Sequence, residues 1–296
     1  MTLRLVIHAG AGTGAGDRDD PLRVMLLEKL LLYGRSLLRG GARALDVVQQ
    51  VMVIMEDASI FNAGRGAVTT VDHLVQLDAS LMDGACRRVG AVSVVSRIKN
   101  PILMARVVMT RTPHNKLVGP WAETLAEASG LEMVDPKTYY VRPPSPHTNP
   151  DPTHATSGTV GAVCLDLHGD LASSSSTGGI SPKLPGRPSD VCDVGASLYA
   201  DNDTCAISCT GIGEYFARAV VSYDIVAQIS YQKTPLGDAV RRSLAKAHHL
   251  RGLPVGGVIA VDPQGTFVLH HDTDVMLSGY ITETGDPVVK ARWTAP

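Results

Sequence analysis

Apolar residues follow two different periods along this chain, and the switches between them mark out its elements. Leu3 to Ile7 is a short β-forming apolar run that ends in His8-Ala9-Gly10-Ala11-Gly12-Thr13-Gly14-Ala15-Gly16, the pattern of a buried strand entering a loop. Pro21 opens a leucine-rich segment to Leu38 in which Leu22, Met25, Leu26, Leu30 and Leu37 recur at helical spacing, and Gly40-Gly41 close it. A second helix is predicted from Ala44 to about Asp57. Ala67 to Thr70 and Leu74 to Ala79, divided by Val71-Asp72-His73, read as a hairpin, and Gly90 to Val95 as a further strand. Pro101 and Pro120 stand at helix starts, which predicts helices through Met109 and Ala128.

From Val134 to Gly158 the periodicity vanishes, with prolines at positions 136, 143, 144, 146, 150 and 152, so this stretch reads as a flexible linker or exposed loop long enough to need a purpose. Val160 to Leu167 and Leu171 to Ser175 then form a hairpin around His168-Gly169-Asp170. Cys205 to Cys209 is a short strand entering Thr210-Gly211-Ile212-Gly213. Glu214 to Ile229 and Pro235 to His249 are predicted helices, and Val255 to Val261 with Thr266 to His270 a closing hairpin. Hairpins and paired helices in both halves predict an α+β protein of stacked antiparallel sheets covered by helices.

Composition changes this picture mainly by exclusion. Among 296 residues, 44% are hydrophobic and 19% charged, which is globular and not disordered composition, enough for one large domain or two ordinary ones. A net charge of −2 without a dense Lys/Arg block offers nothing to nucleic acid or an anionic membrane, and a small neutral or zwitterionic ligand fits better. The five cysteines are odd in number and lack CxxC spacing, which points to reduced thiols, not to a disulfide framework or a zinc site. The first apolar run is too short for a signal peptide and no stretch approaches the ~20 apolar residues of a membrane span, so a soluble, cytoplasmic protein is expected.

The candidate chemistry centres on Thr159, in Ser157-Gly158-Thr159-Val160-Gly161-Ala162-Val163 between the proline-rich stretch and an apolar strand. A threonine hydroxyl is a poor nucleophile, but at a new chain end its own α-amino group, with a pKa of ~7.7–8.0, can take its proton. Otherwise a β-branched threonine simply opens a strand. The run Ser173 to Ser176 followed by Thr177-Gly178-Gly179 places small hydroxyls at a strand end, and Arg187 and Asp190 are spaced to hold the carboxylate and amine of an α-amino acid, or to form a surface ion pair. Thr210-Gly211-Ile212-Gly213 leads from strand to helix, so its N–H groups can converge as an oxyanion hole requires, or form only a tight turn. Gly10-x-Gly12-x-x-Ala15 matches a dinucleotide fingerprint, but helix, Gly40-Gly41 and helix follow where a second parallel strand ending in an acidic residue is needed, and Glu28 lies inside the first helix. The ten histidines are scattered, His248-His249 and His270-His271 diverge, no HExxH occurs, and His8 is expected only to bond a neighbouring loop.

Collected in order, these residues resemble the plant-type asparaginase and isoaspartyl peptidase family of N-terminal-nucleophile hydrolases. The resemblance runs through Phe61-Asn62-Ala63-Gly64, Leu77-Asp78-Ala79-Ser80-Leu81-Met82-Asp83-Gly84, Ile98-Lys99-Asn100-Pro101, Thr112-Pro113-His114, Gly158 to Val163, Ser176 to Gly179, Leu184 to Arg187, Tyr199-Ala200-Asp201-Asn202 and Cys209-Thr210-Gly211. It implies a precursor that cuts itself between Gly158 and Thr159 into subunits 1–158 and 159–296, which jointly form a single domain over 1–296, a four-layer αββα sandwich. The stretch 134–158 is then the slack around the cut. Thr159 would attack the side-chain amide of asparagine or a β-aspartyl dipeptide and release L-aspartate through an acyl-enzyme. Thr177 matches the residue that bonds the nucleophile, Thr210 and Gly211 the oxyanion hole, and Asn62 an asparagine lining the site. Arg187 matches the ligand of the substrate α-carboxylate, Asp190 and Gly213 those of its α-amine, and Gly211 is also counted among the substrate-binding residues. No catalytic cofactor is implied. Backbone carbonyls of Met55, Glu56, Ala58, Phe61, Ala63 and Arg65 would wrap a structural sodium ion, and the assembly would be a homodimer of cleaved units.

The chain departs from the family pattern at three places. Ala9 replaces a glycine of His-Gly-Gly-Ala-Gly, which adds a methyl where backbone needs room. Ile212 replaces a polar residue, and Pro188-Ser189 replace Val-Gly after Arg187, stiffening the loop that carries Asp190. Glycosylasparaginase, a threonine endopeptidase, and an unprocessed, inactive homologue serving as a binding protein are the rival readings.

Overall fold

The computed structural model describes residues 2–12, 20–140 and 156–293. Its fourteen strands are β1 (Arg4–Gly12), β2 (Leu77–Asp83), β3 (Val89–Val95), β4 (Lys116–Val118), β5 (Thr156–Ser157), β6 (Val160–Leu165), β7 (Leu171–Thr177), β8 (Ile180–Ser181), β9 (Leu198–Ala200), β10 (Ala206–Gly211), β11 (Gly256–Val261), β12 (Phe267–His271), β13 (Val275–Thr282) and β14 (Val288–Lys290) among the described residues. Its helices are α1 (Pro21–Arg39), α2 (Ala44–Asp57), α3 (Pro101–Arg111), α4 (Pro120–Ala128), α5 (Pro136–Tyr139), α6 (Gly213–Ala219), α7 (Val221–Gln232) and α8 (Leu236–Arg251). The α+β class expected from the sequence is what the structure has.

Eight strands form a mixed sheet in the order β14-β13-β1-β6-β7-β2-β3-β4, antiparallel except for the β3–β4 pair. Leu5, Ile7, Leu77, Ala79, Val160 and Ala162 turn toward α1, α2 and α3, whose Leu27, Leu31, Val48, Val51, Ile102 and Ala105 complete that core. On the opposite face Val6, Met82, Val163 and Leu171 meet Leu198, Ala206, Ile259 and Val261 of the four-stranded sheet β12-β11-β10-β9. The outer face of this second sheet packs Ile207, Cys209 and Val258 on Phe216, Ile225, Val240 and Leu244 of α6, α7 and α8. Because side chains alternate across a strand, β1 and β6 can supply both cores at once, and their nearly continuous apolar sequence follows from burial on both faces.

Several predicted elements are redrawn. The hairpin expected between Ala67–Thr70 and Leu74–Ala79 shrinks to one bridge between Thr69 and Val75, because β2 pairs with β3 and β7. The helix read as continuous from Glu214 to Ile229 breaks at Val220, which takes a left-handed conformation at φ 52° while its N–H bonds the Phe216 and Ala217 carbonyls. The chain does not close on the β11–β12 hairpin, since β13 follows and lies beside β1. Both neighbours of β1 are antiparallel, so its glycine pattern is not part of a βαβ dinucleotide unit. Within the patternless stretch α5 and β5 are ordered elements, and residues 141–155 lie outside the described ones. No helix among the described residues is long and apolar enough to cross a membrane.

Candidate active site

Thr159 stands at the mouth of β6, in the middle of the large sheet, on the link from β5. Its side chain is buried, and its hydroxyl donates to Thr177 Oγ1 at 3.2 Å, at the end of the neighbouring strand β7. Thr177 Oγ1 also accepts the Gly179 N–H at 2.9 Å, so two donors converge on it. Asn62 fixes the turn on the other side: its Oδ1 accepts the Val68 N–H at 2.8 Å and its Nδ2 donates to the Gly179 carbonyl at 2.7 Å. A methyl on Gly158 would come within 3.0 Å of Asn62 Cβ, which places the Gly158-Thr159 bond directly against Asn62.

From the second sheet, β10 delivers Ser208 and Thr210 on one face. The Ala11 N–H donates to Thr210 Oγ1 at 3.3 Å, and a hydroxyl that accepts there keeps its own hydrogen for another acceptor. Gly211 has φ 149°, and a Cβ on it would stand 2.1 Å from the Val255 carbonyl oxygen, so the approach of β11 admits only glycine. Ile212 caps α6 and its N–H bonds the Val255 carbonyl at 2.8 Å, which confirms the strand-to-helix turn read at this sequence.

Arg187 is mostly buried and its Nε and Nη2 bond Glu214 Oε1 at 2.9 and 2.8 Å. Its Nη1 is buried with no hydrogen-bond partner among the described residues and lies beside Gly179. The ion pair allowed for Arg187 by its sequence therefore exists, but with Glu214 and not with Asp190. Asp190 is half-buried, accepts hydrogen bonds from Ser189 and Ser197, and lies against Gly213, where a Cβ would come 2.0 Å from Oδ1. Burial pushes its pKa up, opposed by the Ser197 hydrogen bond and by the nearby Arg187 charge.

Some participants gave no signal in the sequence. His8 does more than bond the neighbouring link at Thr159: its Nε2 pairs with Ser208 Oγ at 2.8 Å, and Ser208 pairs with Ser175 Oγ at the same distance, so the imidazole sits between the sheets behind β6. Burial pushes its pKa down to about 3 against the weaker upward pull of the Thr159 backbone. Gly161, opposite His8 in the β1–β6 register, leaves the room: a Cβ there would lie 2.3 Å from His8 Nε2. Ala9 causes no conflict, because its methyl packs into the helix-facing core.

The loop after α2 gathers backbone oxygens that suit a cation. The Glu56 carbonyl oxygen lies 2.3 Å from the point a Cβ of Gly64 would occupy, and those of Phe61 and Ser59 lie 2.2 and 2.4 Å from the corresponding point at Gly66. Carbonyls gathered over two positions without side chains are the hard oxygen donors such an ion takes. Among the described residues no cluster of three or more His, Cys, Asp or Glu side chains could hold a metal, so an ion here would depend on backbone oxygens.

A threonine pair stands at a strand mouth, beside a glycine-bounded turn and an arginine–carboxylate loop. The model of the asparaginase family matches residues 1–143 and 138–290. The chain belongs to the asparaginase family. It is 39% identical to an isoaspartyl peptidase of Escherichia coli over 95% of its own length and 94% of that protein's. An isoaspartyl peptidase/L-asparaginase of Macaca fascicularis is 38% identical over 89% of this chain and 88% of its own, and one of Xenopus laevis 32% identical over 92% and 90%. Asn62 from the first half and Thr159 and Thr177 from the second meet around Gly158 and Gly179, Arg187 lies beside Gly179, Asp190 lies against Gly213, and Thr210 is bonded to Ala11 at the end of β10.

Proposed function

We propose that this chain is a self-processing amidohydrolase that releases L-aspartate from L-asparagine, from β-aspartyl dipeptides, or from both. The observation that carries the reading is the buried Thr159 hydroxyl, hydrogen-bonded to Thr177 and one residue from a glycine pressed on Asn62. Cutting the Gly158–Thr159 bond frees the Thr159 α-amine, which takes the hydroxyl proton as the oxygen attacks the substrate's side-chain amide carbon. Thr177, accepting the Gly179 N–H, orients that hydroxyl. Thr210 and Gly211 hold the negative charge on the carbonyl oxygen, a task that preorganised donors perform best in a site shielded from water. The leaving amine takes the proton from the Thr159 amine, an ester to Thr159 Oγ1 remains, and water hydrolyses it to aspartate and free hydroxyl.

Arg187 receives the substrate α-carboxylate with its unpaired Nη1, and Asp190 with Gly213 receives the α-ammonium. The subunits are 1–158 and 159–296, together one αββα domain, and two cleaved units make a homodimer. Backbone oxygens of Met55, Glu56, Ala58, Phe61, Ala63 and Arg65 would hold a structural sodium ion, which would stiffen the turn that carries Asn62. The unpaired cysteines suit the cytoplasm. Incubated protein assayed for aspartate release from asparagine and a panel of β-aspartyl dipeptides tests the reading. Release by the native chain and none by Thr159→Ala is expected, and undiminished turnover by that variant would overturn it.

A further inference from the structure

We propose that Ser189 is a specificity-determining residue, whose hydroxyl and backbone N–H together set the Asp190 carboxylate as the receptor for a substrate α-ammonium. The inference rests on the reading of Asp190 given above and adds a residue to which the family pattern, with glycine at this place, assigns no side chain.

Ser189 is 2% exposed, and its hydroxyl donates to Asp190 Oδ1 at 3.1 Å. The other oxygen, Oδ2, accepts the Ser197 hydroxyl. Each carboxylate oxygen can accept twice, so both stay able to take an ammonium hydrogen while the plane of the group is fixed from two sides. Oδ1 is also the oxygen that lies over Gly213, so Ser189 orients the one facing the other proposed amine ligand.

The Ser189 backbone has its own anchor. Its N–H donates to Asp78 Oδ2 at 3.2 Å, while Asp78 Oδ1 accepts the Val94 N–H at 2.9 Å and the Ser93 hydroxyl. These contacts belong to a β-bulge: Leu77 pairs with Val95 and Ala79 with Val92, so Ser93 and Val94 stand opposite Asp78 alone. Val94 takes φ 57°, a conformation rare for a β-branched residue, and Asp78 holds its N–H there. Bulges of this kind re-aim side chains beside active sites. Here the bulge aims a carboxylate at the Arg187–Asp190 loop; burial pushes the Asp78 pKa up, opposed by the nearby Lys183 and Arg187 charges and by the Ser93 and Val94 hydrogen bonds. Pro188 limits the backbone freedom between Arg187 and this anchor.

A hydroxyl that donates to a carboxylate favours its charged form, which burial and Glu214 oppose; Arg187 and Cys209 are the other titratable groups near Asp190. Removing the hydroxyl therefore weakens amine binding and raises the pH at which Asp190 loses its charge. The test is steady-state kinetics with L-asparagine across pH for native protein, Ser189→Ala, Ser189→Gly and Asp190→Asn. In both Ser189 variants KM is expected to rise about tenfold with kcat changed by no more than about twofold, and the acid limb of kcat/KM to move to higher pH. Unchanged KM and an unmoved limb in Ser189→Ala and Ser189→Gly, with asparagine binding lost in Asp190→Asn, would overturn the role of Ser189 and leave the clamp standing. A lowered Tm with KM and limb unmoved would make Ser189 merely structural. Native KM in Asp190→Asn would remove the clamp itself.

Discussion

At the scale of single residues the site depends on hydroxyls and one guanidinium whose partners are already in place. Thr177→Val keeps the shape but removes the acceptor of the Thr159 hydroxyl and leaves the Gly179 N–H unpaired. Self-cleavage and aspartate release should both slow by about 10-fold or more, which a timed denaturing gel and a coupled aspartate assay would check. Arg187→Ala removes a charge-assisted contact, so KM for substrates with a free α-carboxylate should rise by about 10- to 100-fold, while substrates without it change little. His8 gives a pH prediction. Its pKa is 6.5 when unfolded and about 3 when folded, so stability is whole above pH 6.5 and falls as the unfolded chain alone gains a proton between pH 6.5 and 3. At pH 5 the loss from this residue is about 2 kcal/mol, and urea titrations should show that this slope flattens in His8→Gln. Most of the catalytic candidates were legible because each sits in a short motif at a strand end. Ser197, Ser208 and Glu214 were not, because they act through contacts between distant strands and helices that no local spacing records.

At the scale of elements, helical periodicity placed α2, and a proline start with helical periodicity placed α4, to the residue, since an amphipathic segment carries most of its boundaries in its own sequence. The failures share another cause. The short bridge at Thr69 and Val75 resembled a hairpin because β-forming residues flank a turn, yet β2 was claimed by longer partners on both sides. The break between α6 and α7 went unseen because Val220 is neither glycine nor proline, though it adopts a conformation that usually asks for glycine. This makes Val220→Gly a test: relief of the left-handed strain, less the added freedom of the unfolded chain, should raise stability by on the order of 0.5–1 kcal/mol in denaturant unfolding. An unchanged or lowered midpoint would show that the junction is unstrained. β13 was missed because its place inside the sheet is set by β1, whose paired residues lie near the other end of the chain.

At the scale of the molecule, the large sheet interleaves the two sides of the proposed cut. Running β14-β13-β1-β6-β7-β2-β3-β4, it places β1 from the first half between β13 and β6 from the second, and β2 against β7. The pieces cannot part without breaking strand pairs and both cores. The cut protein should therefore migrate as one species in native sizing and unfold in one transition, separating only in denaturant; two species under native conditions would contradict the interleaving. By the same interleaving the proposed cut should cost the fold little, since residues 159 onward already hold their places in the sheet of the uncut chain. The central claim is that Thr159 is a nucleophile made by cleavage at its own N–H side. Intact-mass measurement of the native chain and Thr159→Ala, each incubated until no further change, tests it most directly. The native chain should give two pieces, one ending at Gly158 and one beginning at Thr159, and the variant a single uncut chain. A native chain that stays whole while releasing aspartate, or a variant cut at the same bond, would contradict the account.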